Sequence, residues 1–189
     1  MNFEKDIQKS IETLKNGGIL LYPTDTIWGL GCDAENEKAI SRIYEIKKRV
    51  FSKSMIILAE NTETINKIIA EFPQKAVEII SQTENPLTII YQNAKNLAKN
   101  VIAEDGTIAV RIPNDDFCQK LLKEYGKPVV STSANISGEN PPSNFEEISE
   151  EIKENCDYIV KWRQDDYTKA QPSTIIKIEQ NGEITVIRK

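Results

Sequence analysis

Short apolar runs alternate along this sequence with segments whose apolar residues recur at helical spacing. Apolar residues recur every three or four positions between 3 and 14, a buried-strand pattern follows at 19–22, and helical spacing returns up to Lys47. The alternation continues through most of the chain, and hairpin-like strands come late, around Asn181 and Gly182. This order predicts an α/β fold with a mixed sheet.

The length and composition of the chain limit the class of protein. A chain of 189 residues is expected to form one domain, 1–189, with a sizeable core. The longest apolar run, GGILLY, is too short to span a bilayer, and the polar and acidic residues after Met1 do not resemble a signal peptide. We therefore expect a cytoplasmic protein with no membrane partner.

Histidine is absent from the sequence and cysteine is scarce. The lack of histidine excludes a Ser-His-Asp triad, a Cys-His pair and a His-ligated zinc site. Cys32, Cys118 and Cys156 are odd in number and widely spaced, which argues against a disulfide framework and a CxxC metal site. An enzyme of this composition would have to use hydroxyls, lysine, arginine, carboxylates, backbone N–H groups or a metal with oxygen ligands.

Four cations lie between Lys47 and Lys53, in a chain whose net charge is −5. A basic cluster on an acidic chain indicates a specific anionic ligand rather than a general polyanion surface. Lys47 continues the apolar face of the preceding helix, so we expect its side chain to point into the protein or a cleft, and Lys48 to face water. The alternative is a solvated cluster at a helix C-terminus, where cations suit the helix dipole.

Two polar stretches follow predicted strands. Residues 24–31 contain two threonines, an aspartate and two glycines, and would either hold a small polar ligand or form a simple turn. Residues 131–138 form a predicted hydroxyl-rich turn that could donate to phosphate or carboxylate oxygens, with a flexible linker as the alternative. Together with 47–53, 107–111 and 173–174, they lie at strand ends, where open α/β sheets form ligand clefts.

The order of these motifs resembles that of the YrdC/Sua5 family. They are LYPTDTIWGLGCDA at 21–34, KKR followed by Lys53, GTIAVRIP at 106–113, KPVVSTSANISG at 127–138 and PSTII at 172–176. The resemblance covers nearly the whole chain and corresponds to the short form of the family. It implies a twisted, open mixed sheet with flanking helices around a deep, positively charged cavity.

The resemblance also implies a reaction. L-Threonine and bicarbonate would combine to N-carboxythreonine, whose carboxylate attacks the α-phosphate of ATP and releases pyrophosphate. The product, threonylcarbamoyl-AMP, would pass to a separate transferase that modifies adenosine 37 of certain tRNAs. Mg²⁺ is expected to enter with ATP, held by substrate and water rather than by a protein cage.

Three groups of site residues follow from the resemblance, motif by motif. Those expected to contact threonine are Thr26, Arg111, Ser131 and Ser173. Those expected to contact the nucleotide are Arg49, Lys53, Thr107, Ser133, Asn135 and Arg188. Lys47 and Arg49, which match the Lys-x-Arg motif of the family, are expected to be catalytic because they can bring two anions together.

The sequence departs from the family pattern at several positions, which bear on the shape of the pocket. They are Trp28, Val50, Ser54, Leu58, residues 83–85 and the residue after Arg188. These departures leave an inactive paralogue as one alternative, and a related carbamoyl-adenylating activity with a different acceptor as another. A third alternative is weak RNA binding or ribosome maturation, which the acidic net charge and the small basic cluster disfavour.

Overall fold

The computed structural model describes residues 3–50, 55–168, 171–179 and 182–189. Two predictions, the nucleotide contact by Lys53 and the hairpin turn at Asn181, lie outside the described residues. Within these ranges, helices and strands alternate in the predicted order, and one large mixed sheet runs through the protein with helices beside it. The predicted fold class is confirmed.

Polar N-caps fix the beginnings of three helices. The side chains of Asn36, Asn61 and Asp115 accept hydrogen bonds from backbone N–H groups three residues further on, which have no acceptor inside the helix. The helices are α1 (Glu4–Lys15), α2 (Glu37–Ile46), α3 (Thr62–Ile68), α4 (Gln74–Gln82), α5 (Asp116–Tyr125) and α6 (Glu150–Glu154). α6 begins directly after Ser149, which has the extended backbone of an N-cap.

Nine strands form the sheet within the described ranges. They are β1 (Leu20–Tyr22), β2 (Gly29–Gly31), β3 (Ile56–Leu58), β4 (Leu87–Tyr91), β5 (Ile108–Arg111), β6 (Val129–Ser133), β7 (Tyr158–Ile159), β8 (Thr174–Ile178) and β9 (Ile184–Arg188). Their order is β7-β1-β2-β6-β3-β5-β4-β8-β9. The pairs β1/β7, β3/β5 and β4/β8 are parallel and the others antiparallel, so the sheet is mixed.

Parts of the two polar stretches, 24–31 and 131–138, are strands, and these strands pair with each other. Gly29 of β2 stands opposite Ser133 of β6. The close pairing of these strands requires glycine at position 31. A Cβ there would clash with the ring of Tyr22 at 2.5 Å and with the carbonyl oxygen of Val130 at 2.6 Å. The turn predicted for 131–138 was therefore wrong for 131–133, and the simple turn considered as an alternative for 24–31 does not describe 29–31, since close strand packing and loops both favour glycine and small polar residues.

The apolar runs form the interior of the protein. All residues of β1 and β2 and the first three residues of β6 are buried. Burial of aliphatic side chains throughout this interior is the main favourable contribution to the free energy of folding, at about 25 cal/mol per Å² removed from water. Over the part of the chain that the structure describes, none of the helices has the length and apolar character that a membrane span requires.

Candidate functional site

A cavity of about 430 Å³ opens on one face of the sheet. Ala109 and Arg111 of β5 and Ile90 of β4 face it, because alternate residues of a strand point to the same side. The rest of the lining comes from the segment between β1 and β2 with the first residue of β2, the residue Arg49 after α2, the start of β3, the end of β6 and the segment after it, and the strands β8 and β9. We call it the polar cavity, and its polar lining consists of Thr24, Thr26, Trp28, Arg49, Arg111, Ser131, Thr132, Ser133, Asn135, Glu139, Ser173 and Arg188.

Most of the predicted site residues meet in the polar cavity, although they come from six separate stretches of sequence. Eight of them line it: Thr26, Arg49, Arg111, Ser131, Ser133, Asn135, Ser173 and Arg188. Lys47 and Thr107 do not line it. The position of Lys53 is outside the described residues.

Arg111, at the end of β5, is fixed by polar groups of the loop after β1. Its Nη1 donates to Thr26 Oγ1 at 2.8 Å, and Thr26 Oγ1 lies 2.9 Å from Thr24 Oγ1. Asp25 Oδ1 pairs with Arg111 Nη2 at 3.4 Å, and both side chains are almost fully buried. The Nε atom of Arg111 donates no hydrogen bond to any described side chain or backbone group, so one donor of the guanidinium remains unused.

Ser173, directly before β8, is held from two sides. Its Oγ lies 2.7 Å from Thr88 Oγ1, and its carbonyl oxygen accepts from Nε and Nη2 of Arg188 at 3.0 and 2.8 Å. The β8–β9 register shifts by one residue next to Ile175, so that Arg188 stands opposite Ile175. Both residues line the polar cavity.

At the end of α2, the side chains of Lys47, Lys48 and Arg49 point in different directions. The N–H of Lys48 bonds to the carbonyl of Glu45 and the N–H of Arg49 to that of Tyr44, both at 2.9 Å, which is the pattern of a Schellman motif. Lys48 has a φ of +49°, in the left-handed region that favours glycine. As predicted, Lys47 is buried and Lys48 is exposed, and the reversal carries Arg49 to the polar cavity.

The ammonium of Lys47 is bound to the backbone of the segment that follows β6. Its Nζ donates to the carbonyl oxygens of Ser133 at 2.5 Å and Asn135 at 2.7 Å, and its own carbonyl accepts from the N–H of Ser137 at 2.8 Å. The residue is 1% exposed. Burial, and next the charge of Arg49, lower the pKa of Lys47 to about 7.

Thr107 and Asn135 both make local hydrogen bonds. Thr107 Oγ1 donates to Asp105 Oδ1 at 2.7 Å, which lowers the pKa of that carboxyl group. Nδ2 of Asn135 donates to the carbonyls of Ile136 and Glu139 at 2.9 and 2.8 Å and so closes the turn after β6. Asn135 borders the polar cavity through this turn, whereas Thr107 lies at the opposite end of β5 from Arg111.

Positive charge dominates the described part of the lining. Among the described lining residues, Arg49, Arg111 and Arg188 carry positive charge, and Glu139 is the one residue that carries negative charge. Burial lowers the pKa of Arg49, and burial together with the charge of Arg111 lowers the pKa of Arg188. Because guanidinium groups stay protonated in proteins, this excess favours a ligand with several negative charges.

Two supporting residues were not among the predicted site residues. Asp25 holds Arg111, and Thr88 holds Ser173. The sequence contained a signal for Thr88, which is a polar residue inside an otherwise apolar strand and is fully buried.

The three cysteines are not suited to nucleophilic catalysis. Burial raises the pKa values of all three cysteine thiols, that of Cys156 to about 12, which makes them poor nucleophiles.

Comparisons with known proteins agree on one family. Residues 12–189 match the family model for Sua5, YciO and YrdC, which is described as "Telomere recombination". A protein of Pseudoalteromonas translucida named threonylcarbamoyl-AMP synthase is 37% identical over 187 residues, covering 97% of this chain and 98% of the relative. One of Hahella chejuensis with the same name is 31% identical over 155 residues, covering 82% of this chain and 84% of the relative.

Solved structures share the fold. The crystal structure of Sua5 from P. abyssi complexed with L-threonine has a TM-score of 0.86 at 25% identity and covers 98% of this chain. The match includes 54% of that protein, so this chain spans about half the length of Sua5. YciO from E. coli has a TM-score of 0.84 at 24% identity, covering 98% of this chain and 89% of YciO. The family model and the curated relatives together show that this chain is a member of the Sua5/YciO/YrdC family.

Proposed function

We propose that the chain is an L-threonylcarbamoyladenylate synthase, which makes threonylcarbamoyl-AMP and pyrophosphate from L-threonine, bicarbonate and ATP. The observation that carries this proposal is the meeting of three arginines and a set of hydroxyl groups in one cavity. Two relatives that match most of this chain are named threonylcarbamoyl-AMP synthase. This reaction brings a carboxylate against a triphosphate, which requires fixed positive charge.

Threonine would occupy the part of the polar cavity near Arg111. The guanidinium can pair with the α-carboxylate, and its contact with Thr26 and Asp25 keeps it in one orientation. Ser131 and Ser173 are buried hydroxyl residues in the same lining, and they can pair with the threonine hydroxyl and carboxylate. A buried site of this kind rejects analogues that leave its polar groups unpaired.

ATP would occupy the part of the polar cavity near Arg49 and Arg188. Both guanidinium groups can bind phosphate oxygens through two N–H donors at once. Ser133 and Asn135 border this region, and we retain Lys53 and Thr107 as nucleotide contacts on the motif match alone. Mg²⁺ would arrive as part of the ATP substrate, because Glu139 is the one carboxylate among the described lining residues.

The adenylation step needs orientation and charge compensation more than proton transfer. The carboxylate of N-carboxythreonine is already an anion, so its oxygen can attack the α-phosphorus without a base, and the bond to the pyrophosphate oxygen breaks. Arg49 would stabilise the charge that develops on the phosphates. The contacts of Lys47 support a contribution through position, because its ammonium holds the carbonyls of Ser133 and Asn135 rather than facing the cavity.

The place of this reaction in tRNA modification is also part of the proposal. Threonylcarbamoyl-AMP is a mixed anhydride that water destroys, so a transferase that modifies adenosine 37 of tRNA would consume it. A cytoplasmic location follows from that role and stays a prediction.

An omission experiment tests the proposed function. We expect pyrophosphate release only when ATP, Mg²⁺, bicarbonate and threonine are all present, and little release with valine in place of threonine because the buried hydroxyl partners are left unpaired. Release that is independent of bicarbonate would indicate formation of a simple aminoacyl adenylate. Equal turnover of valine and threonine would contradict the assignment of the hydroxyl pocket.

A further inference from the structure

A second cavity, of about 330 Å³, lies on the opposite face of the same sheet. Val110 and Ile112 of the β5 segment face it, whereas Ala109 and Arg111 face the polar cavity. Ile89 and Tyr91 of β4 contribute to its floor, and Ile65 of α3 and Ile80 of α4 to its walls. We call it the rear cavity.

The rear cavity contains buried polar atoms that make no hydrogen bond with the described residues, although Oδ1 of Asp25 takes part in the 3.4 Å ion pair with Arg111. Oη of Tyr91 and Oδ1 of Asp25 are buried and make no hydrogen bond with the described residues, and both residues line the cavity. Tyr91 is 1% exposed and the Asp25 side chain 6%. The polar cavity has two such atoms in its lining, on Arg111 and Asn135. Because buried polar atoms are rarely left unpaired, this resemblance between the two cavities points to a second ligand.

The charges around the rear cavity define the chemistry of that ligand. Asp25 and Glu84 are its ionisable lining residues with carboxylates, and no lysine or arginine lines it among the described residues. The carboxylate of Asp115 lies close enough for its pKa to be raised by the charge of Asp25, after the larger effect of burial. The floor and walls are mostly aliphatic. A ligand that fits would have an apolar body and one cationic donor.

We propose that the rear cavity binds a small amine with an apolar body, whose ammonium group pairs with Oδ1 of Asp25. Asp25 can make this contact while Oδ2 still accepts from the N–H of Asn114, at 3.1 Å. The aliphatic floor at Ile89 and Val110 then covers the body of the ligand. The site is separate from the polar cavity and uses none of its lining residues.

Occupancy of the rear cavity is coupled to the polar cavity through one ion pair. Asp25 Oδ1 pairs with Arg111 Nη2 at 3.4 Å, and Arg111 donates to Thr26 in the polar cavity. An ammonium group on Oδ1 competes with the guanidinium and so changes the orientation of Arg111. This coupling rests on the proposed function, because it is expressed as a change in threonine affinity. Linkage requires that threonine change the affinity of the amine by the same factor.

Binding of 2-phenylethylamine to the full chain, followed by NMR, tests the site without any substrate. We expect saturable binding, weaker by about tenfold or more for 2-phenylethanol, which has the same shape without the charge. Thr83→Trp fills the rear cavity from an exposed lining position and should abolish binding while pyrophosphate release is retained. Asp25→Asn should weaken amine binding by about tenfold in the folded variant.

Several results would overturn the proposal. They are an absence of saturable binding to the wild type, binding that survives Thr83→Trp, and binding of the alcohol as tight as that of the amine. An unchanged threonine affinity in the presence of saturating amine would overturn the coupling. If the omission experiment fails while the amine binds as expected, the proposed function is wrong and the rear site stands.

Discussion

Arg188 stands opposite Ile175 because the ladder between β8 and β9 shifts by one residue. In an unshifted ladder Ile187 would take that place, and Arg188 would point to the other face of the sheet. A one-residue bulge therefore brings a guanidinium into the polar cavity, where it binds the carbonyl of Ser173.

Replacement of Arg188 tests whether this placement matters. Arg188→Gln should lower pyrophosphate release by about 100-fold, the typical loss for one donor to a developing charge. Lys189→Gln is the matched control, since it removes the adjacent charge from an exposed residue and should remain close to the wild type. Similar losses in the two variants, both reduced by salt, would indicate a general electrostatic effect.

The buried ammonium of Lys47 predicts a particular dependence of stability on pH. Its pKa is about 7 in the folded protein against an ordinary value of 10.5. Between these values the unfolded chain binds more protons, so this group makes the protein more stable as pH rises. The free energy of unfolding of the wild type, measured relative to that of Lys47→Met, should therefore rise from about pH 7 towards pH 10, by up to about 1.4 kcal/mol per pH unit.

Parallel pH profiles for wild type and Lys47→Met would contradict this account of Lys47. The variant should also lose turnover, because the carbonyls of Ser133 and Asn135 are no longer held. Full turnover in the folded variant would show that the segment after β6 needs no such support.

Arg49 and Lys48 carry the same charge but have different surroundings. Arg49→Lys should lower pyrophosphate release by about tenfold or more, because an ammonium cannot bind two phosphate oxygens in the same plane. Lys48→Gly should keep its activity and gain about 0.5–1 kcal/mol of stability, because glycine adopts a φ of +49° without strain. Equal losses of activity in the two variants would remove the distinction between them.

Thr88 supports Ser173 from within a strand. Thr88→Val keeps the shape of the side chain and removes the hydroxyl group that lies 2.7 Å from Ser173 Oγ. We expect KM for threonine to rise by about fivefold to tenfold, the equivalent of one buried hydrogen bond. Thr83→Val changes an exposed threonine in the same way and should leave KM unchanged. A fall in kcat alone would argue against a role in threonine binding.

The sequence predicted the alternation of elements and most of the residues that meet in the polar cavity. Apolar periodicity predicted that Lys47 is buried, because it lies on the same helix face as Ile40, Ile43 and Tyr44. The partners of its ammonium could not be predicted, since they are backbone carbonyls of a segment that is more than eighty residues away in sequence.

Three features of the structure could not be predicted from the sequence, for physical reasons. Gly29–Gly31 and Ser131–Ser133 have the composition of turns, and only their pairing in the folded sheet makes them strands. The reversal after α2 lacks the glycine that normally marks it, because Lys48 itself adopts the left-handed conformation. Asp25 belongs to the polar stretch 24–31, but its contact with Arg111 depends on the folded sheet.

In the proposed reaction, carboxylated threonine is joined to AMP in the polar cavity. The most direct test is to incubate the protein with ATP, Mg²⁺, threonine and ¹³C-bicarbonate and to measure the mass of the nucleotide product. We expect an adduct of AMP and threonine that carries one ¹³C atom, formed together with pyrophosphate. An unlabelled threonyl adenylate, or hydrolysis of ATP without any threonine adduct, would contradict it.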